Sequence, residues 1–452
     1  MSKASRGWTL GLVAISGLCG TAFGQGREVE KADWKAEWLA ARNVIIETNP
    51  NLEYDPTSIL VKFPSDLDEA QKDVLRKLVG GRTITTWDIV PGVEHLAIDR
   101  SVGVEEALEL LTQWSGPAGL VEYAEPDYIV RTSATTPNDP RYTSLWGMND
   151  TASPIADIDA PEAWDVWRNA GAFRVAVIDT GIRKTHEDLA ANIWTNSAEI
   201  AGNGIDDDGN GYRDDTWGWN FYSNNNNPND DNGHGSHCAG TIGGAGNNAK
   251  GVVGVVWSCK FVALKFLGAS GSGSTSGAIS AINYAANSFI RVSNNSWGGG
   301  GYSSTLYNAI NNAKAKGHIV VAAAGNSGVN TDTSPSYPAS YNLDNIIAVA
   351  SLTSSGARSS FSNYGLVSVD LGAPGSSIVS CSNSSDTSYA TLSGTSMAAP
   401  HVTGVVTLVW SKNLSWNWLT VKNKLMTTTR PMSSLSGKCV TGGEVNANNA
   451  IR

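Results

Sequence analysis

Val175-Ala176-Val177-Ile178-Asp179-Thr180-Gly181 is a short apolar run that stops on a carboxylate and a glycine. A continuous apolar run of this length, closed by a turn residue, fits a strand buried on both faces. Residues 261–266, 319–323 and 346–350 have the same texture, and residues 276–287 and 302–316 between them carry helical spacing. Strands alternating with helices predict an α/β fold, a parallel sheet flanked by helices. In such a sheet the ligand crevice lies beyond the carboxyl ends of the strands. Asp179, Asn295 and Asn326 each follow an apolar run closely and are predicted to meet there.

Two further segments carry reactive side chains: Gly233-His234-Gly235-Ser236-His237-Cys238-Ala239-Gly240 and Gly394-Thr395-Ser396-Met397-Ala398-Ala399-Pro400-His401. A serine in a small-residue turn ahead of an apolar helix ordinarily caps backbone N–H groups, as does an aspartate after a strand. Here an acid, a base, an amide donor (Asn326, after Ala322-Ala323-Ala324-Gly325) and a nucleophile occur in order. Together the four segments resemble the subtilisin-like serine proteases, the subtilases or peptidase S8 family, whose triad runs Asp, His, Ser along the chain. The resemblance covers roughly residues 135 to 450.

That resemblance implies a serine endopeptidase. Ser396 would be the nucleophile, His234 the general base and Asp179 the acid that orients it, with His237 structural. Asn326 and the Ser396 backbone N–H would donate to the oxyanion. Zinc is not expected, because the histidine pair lacks a third ligand. Ser296-Trp297-Gly298 and Gly271-Ser272-Gly273 resemble the two edge segments that clamp an extended peptide by strand addition. Ser336, at the matched pocket floor, brings no acid, so broad cleavage after apolar or aromatic residues is expected. The competing readings are a catalytically silent peptide-binding module and an esterase using the same triad.

Residues 206–215 place Asp206, Asp208, Asn210, Tyr212, Asp214 and Asp215 around Gly209 and Gly211 in the pattern that opens an EF-hand loop. Calcium is the ion implied, although Trp217 stands where the loop would need Glu. The family resemblance adds a second site from Asp139, Asp188 and Asn248, with carbonyls around Gly246, Lys250 and Val252. It also offers Asp370 as a weaker cation position. About one to three structural Ca²⁺ ions are therefore expected.

The chain has 452 residues, 41% hydrophobic, 16% charged, with a formal charge of −10. Neither a nucleic-acid partner nor an anionic membrane suits that balance. Lys3 and Arg6, the apolar stretch from Trp8 and the small-residue exit at Ala22-Phe23-Gly24 read as a signal peptide over 1–24. Secretion, to the periplasm or the medium, follows. Residues 25–135 are richer in Glu, Lys and Leu. They predict a small α+β, ferredoxin-like unit ordered strand-helix-strand-strand-helix-strand. By resemblance this is a propeptide, acting as inhibitor and folding template, with autocleavage between roughly Arg131 and Asn138. The catalytic domain would then span 136–452 and act as a monomer, with no accessory domain after it. Of Cys238, Cys259, Cys381 and Cys439, the pair Cys381 and Cys439 is expected to bridge.

Overall fold

The chain divides into two compact units, residues 1–132 and 133–452, the first with one buried core and the second with a core on each face of its sheet. The computed structural model describes residues 34–49, 52–115, 119–130, 135–150 and 156–452. The expected signal peptide and residues 131–134 of the expected cleavage stretch lie outside the described residues.

In the first unit, α1 (Trp34–Thr48) leads into β1 (Tyr54–Lys62), α2 (Glu69–Leu78), β2 (Arg82–Thr86), β3 (Val93–Ala97), α3 (Val104–Thr112) and β4 (Tyr123–Tyr128). The strands form an antiparallel sheet in the order β2-β3-β1-β4. After α1, which the apolar pattern does not reveal, the elements follow the expected alternation. α2 begins where Asp68 accepts the Gln71 N–H and the Gln71 side chain returns to the Asp68 N–H, a reciprocal capping box. Ile59, Val61, Leu75, Leu96 and Leu111 close the core between sheet and helices.

The second unit runs α4 (Ala160–Trp164), β5 (Asn169–Asp179), β6 (Gly218–Asn220), α5 (His234–Gly243), β7 (Ser258–Lys265), α6 (Thr275–Asn287), β8 (Val292–Asn295), α7 (Ser304–Ala315), β9 (Ile319–Ala323), β10 (Ile346–Leu352) and β11 (Leu371–Pro374). It continues with β12 (Ile378–Cys381), β13 (Tyr389–Leu392), α8 (Thr395–Lys412), α9 (Trp418–Thr427), β14 (Arg430–Pro431), β15 (Gly443–Glu444) and α10 (Ala447–Ile451). The main sheet has the order β14-β15-β11-β10-β9-β8-β5-β7-β6 and is parallel except at β14. Alternate residues of β5 serve opposite faces: Val175 and Val177 join the core under α5 and α8, while Ala176 and Ile178 join the core under α6 and α7.

Strand order explains where chemistry can occur. From β5 the chain builds outward through β7 and β6 on one side and through β8, β9 and β10 on the other. The order therefore reverses at β5, and a crevice opens beyond its carboxyl end, at Asp179. Asn295 ends the neighbouring strand but is fully buried, its amide donating to the Ser293 carbonyl and hydroxyl. It does not line the cleft.

The expected Cys381–Cys439 bridge is absent: all four described cysteines are free and buried. Cys381 packs on β12 into the core beneath α5 and α8, whereas Cys439 belongs to a separate cluster with Leu352, Val369 and Leu435. No helix among the described residues is long and apolar enough to cross a membrane.

Candidate active site

Two glycines set the distance between acid and base. Gly181 has φ 106°, a left-handed conformation in which a Cβ would collide with the Pro228 carbonyl. At Gly235 a Cβ would collide with the Gly181 carbonyl and crowd Asp179. Bare backbone at Gly235 lets the start of α5 reach the end of β5 this closely, and bare backbone at Gly181 lets the Pro228–Asn229 loop pass beside it.

His234 opens α5, and its Nδ1 lies 2.8 Å from Asp179 Oδ1. Asp179 is fully buried, and its Oδ1 also accepts the Thr180 N–H at 2.7 Å. Burial of the imidazole pulls its pKa down. The Asp179 charge and hydrogen bond, with the Asp230 charge adding, outweigh burial and hold it above the ordinary histidine value. The other ring edge, bearing Nε2, borders a cleft that Ser396 and Asn326 also line. His237, one turn along, is buried with Nε2 against the carbonyls of Ile378 and Ala390, and burial lowers its pKa to about 4. It is structural, as expected.

Ser396 is the second residue of α8, so its N–H is among the helix-start donors without an intrahelical partner. Pro400, four residues on, has no N–H to offer the Ser396 carbonyl. The Ser296 hydroxyl takes that place, donating to the Ser396 carbonyl at 2.8 Å. The Cys238 thiol reaches the same carbonyl at 3.4 Å. The Ser396 hydroxyl itself donates to the Ser296 carbonyl at 3.1 Å. Asn326 is held by its oxygen, which accepts both the N–H and the hydroxyl of Thr395 at 2.9 Å. The amide NH₂ is thereby left for the cleft. Thr395 carries no signal in the sequence although it is adjacent to Ser396, yet it fixes which end of that amide faces substrate.

The cleft holds about 540 Å³ and is lined by Gly271, Ser272, Gly273, Ser296, Trp297 and Gly298, so both predicted edge segments reach it. A side recess of about 220 Å³ contains Ser336 together with Ala323, Gly325 and Asn363. No acidic side chain lines that recess among the described residues. Trp297 packs edge-on against Phe266 with ring centres 4.9 Å apart and walls both spaces.

The acidic loop gathers most of its expected donors. Oxygens of Asp206 and Asp208 lie within 4.8 Å of one another and of Glu199, a residue the motif does not include. Asn210 donates to both Asp208 and Asp215. Burial pushes the Asp215 carboxyl up, countered by hydrogen bonds from Tyr284, Asn210 and Asn196, with the Asp208 charge adding to the rise. Like charges converging this way suit a hard cation with oxygen ligands. Tyr212 offers only its main chain, since its ring packs against Trp219, Phe221 and Tyr284. Asp214, which does not join the cluster of Glu199, Asp206 and Asp208, accepts the N–H groups of Gly202, Asn203 and Gly204 at 2.7, 3.1 and 3.0 Å.

The second set also assembles. Asn248 donates to Asp188 at 2.9 Å, and its N–H, with that of Asn247, points to Asp139. Burial pushes Asp139 up against those two N–H bonds, with the Asp188 charge adding to the rise. Two buried carboxylates that face backbone donors but, among the described residues, no lysine or arginine fit a cation. Asp370 does not: the Lys422 ammonium pairs with it at 3.1 Å and the Ala348 N–H binds its other oxygen at 2.7 Å.

Comparison with known proteins agrees with this geometry. The sequence profile of the Subtilase family matches residues 171–449. Thermitase of Thermoactinomyces vulgaris is 41% identical over 281 residues, which is 62% of this chain and 87% of that protein. The thermophilic serine proteinase of Bacillus sp. (strain AK1) is 35% identical over 400 residues, 88% of each chain. Among solved structures, a protease of Pseudoalteromonas arctica PAMC 21717 has a TM-score of 0.58 and 31% identity, covering 70% of this chain and 99% of that one. With an acid, a base and a serine gathered at the reversal point of a mostly parallel sheet, and this kinship over most of its length, the chain belongs to the subtilase family and is a serine endopeptidase.

Proposed function

We propose that the protein is a secreted, calcium-stabilised endopeptidase made as a self-processing precursor, with Asp179, His234, Ser396 and Asn326 as its catalytic residues. The observation that carries this reading is the 2.8 Å contact of His234 with buried Asp179 on the edge of a cleft that Ser396 and Asn326 share. An extended peptide lies between 271–273 and 296–298, where glycine backbone allows strand addition. A turn about the Ser396 Cα–Cβ bond swings Oγ from the Ser296 carbonyl to His234 Nε2. Oγ attacks the scissile carbonyl carbon as Nε2 takes its proton, and Asp179 stabilises the imidazolium. The Ser396 N–H and the Asn326 amide receive the oxyanion. His234 returns the proton to the leaving amine, and water then releases the acyl group by the reverse sequence.

The uncharged recess at Ser336, walled by Trp297, favours apolar or aromatic residues before the cut. Residues 25–135 act as the inhibitory propeptide. The test is labelling of the purified protein with a fluorophosphonate, followed by digestion of a peptide library. The label is expected on Ser396, with cuts after apolar and aromatic residues. No label there sinks the nucleophile assignment.

Calcium would be held by Asp206, Asp208, Asn210, Asp215, Glu199 and the Tyr212 carbonyl at one site. Asp139, Asp188 and Asn248 would hold it at the other. Its contribution is charge neutralisation that pins surface loops, so opening and self-digestion become rarer. Removing a ligand present at 100 to 1,000 times its Kd costs about 3–4 kcal/mol per site, worth a Tm fall of about 5–15 °C. Calorimetry with EGTA, reversed by added Ca²⁺ but not Mg²⁺, checks this. An unchanged Tm rejects calcium.

A further inference from the structure

Asp230 is only 3% exposed, and its carboxylate accepts five hydrogen bonds. Oδ1 takes the Thr180 hydroxyl at 2.8 Å and the N–H groups of Asn232 and Gly233 at 3.0 and 2.9 Å. Oδ2 takes the N–H and hydroxyl of Ser236 at 2.9 and 2.6 Å. These donors are not scattered. Thr180 follows the acid Asp179, while Asn232, Gly233 and Ser236 bracket the base His234.

The start of α5 explains the arrangement. Gly233 stands at the N-cap position and has no side chain to satisfy the first helical N–H groups. Asp230 caps Ser236, and the Thr180 hydroxyl, itself bonded to Asp230, caps Gly235 at 2.9 Å. One carboxylate thus ties the end of the acid's strand to the first turn of the base's helix. Among the described residues no lysine or arginine pairs with Asp230. The buried Lys265 ammonium goes instead to Asp231 at 2.6 Å and to the Thr180 and Leu267 carbonyls at 2.7 Å. Asp230 therefore keeps an unneutralised charge beside the imidazole, held only by dipoles.

We propose that Asp230 is a positioning residue for hydrolysis: it fixes the His234 ring at hydrogen-bond distance from Asp179, and its charge supports the imidazolium formed as Ser396 is deprotonated. This rests on the catalytic assignment above. Among the described residues, the other titratable groups around His234 are Asp179 on β5, the Asp231–Lys265 pair, and His237 and Cys238 on α5. Burial keeps His237 neutral in the working range, and it pushes the Cys238 thiol well up, so that is neutral too. The charges that act on the ring are accordingly those of Asp179 and Asp230. They hold the His234 pKa above its ordinary 6.5, so kcat/KM falls as pH drops through that raised value.

Asp230→Asn turns one acceptor into a donor facing donors and removes the charge. It is expected to lower kcat about 10–100-fold with KM within about twofold, because a small misplacement of a catalytic group costs that much. The acid limb of kcat/KM should move to lower pH, because the Asp230 charge is one of those that raise the His234 pKa. Thr180→Val, which removes both the bond to Asp230 and the cap on the Gly235 N–H but keeps the Asp230 charge, should lower kcat several-fold and leave the limb in place, and it serves if Asp230→Asn does not fold. Fluorophosphonate labelling of wild-type Ser396 is measured alongside. If the wild type fails to label, the catalytic reading itself falls. If it labels while Asp230→Asn keeps its kcat and its pH limb and loses only Tm, Asp230 is a structural residue and the proposal is overturned. Thr180→Val with unchanged kcat overturns it equally.

Discussion

Ser396→Ala should lose on the order of 10⁶ in kcat while remaining folded. The size follows from how the triad works: without the hydroxyl no acyl-enzyme forms, and the base and acid have nothing to activate. Structural cost is small by comparison. The Ser396 side chain contributes one hydrogen bond, to the Ser296 carbonyl, worth about 1 kcal/mol. The helix start keeps its Thr395–Asn326 contacts, and the Ser296 hydroxyl still meets the main-chain carbonyl of residue 396. Tm should accordingly fall by no more than about 2–4 °C. Measured side by side, peptide-anilide turnover and calorimetry separate lost chemistry from lost fold. The same variant, expressed as full chain, should remain at precursor length. Continued shortening of the purified variant would place the nucleophile elsewhere.

Asn326→Ala comes second in size. Its amide touches substrate chiefly when charge develops on the carbonyl oxygen, so the loss belongs in kcat, by about 10²–10³, with KM nearly unchanged. Orientation makes the experiment informative. Because Thr395 holds the amide oxygen through two donors, Asn326→Asp would keep that anchor and direct a second, charged oxygen at the oxyanion position. It should therefore be at least as damaging as alanine despite its closer shape. Steady-state kinetics of both variants test the point. An aspartate variant retaining wild-type kcat would remove Asn326 from the oxyanion site.

Much of the site is legible in the chain itself. The run 175–181 announces a buried strand ending on an acid because a strand covered on both faces has little choice of side chain. Ser396 and His234 stand out because small residues crowd them, and the crowding has a cause. A Cβ on Gly235 would strike the Gly181 carbonyl, and one on Gly181 would strike the Pro228 carbonyl. Allegiances of polar groups are harder to read. Asp214 resembles one more loop ligand but serves three N–H groups of the preceding turn. Asp370 seen in sequence is open to a cation, yet it has Lys422, 52 positions away. Glu199 and Asp230 give no local signal, since an acid in a polar loop has many possible partners.

From the chain alone came the alternation of strands and helices, which follows from hydrophobic period, and the candidate reacting groups, which four motifs resembling those of the subtilases picked out. Folding decided which groups each carboxylate, amide and thiol would face: Cys381 and Cys439 in separate cores, Thr395 on the oxygen of Asn326, Asp230 spanning the acid and the base. A hydrogen bond or an ion pair needs its partner within about 3–4 Å. For Asn326 and Asp230 that partner lies tens of positions away, where only the packed sheet and helices bring it near.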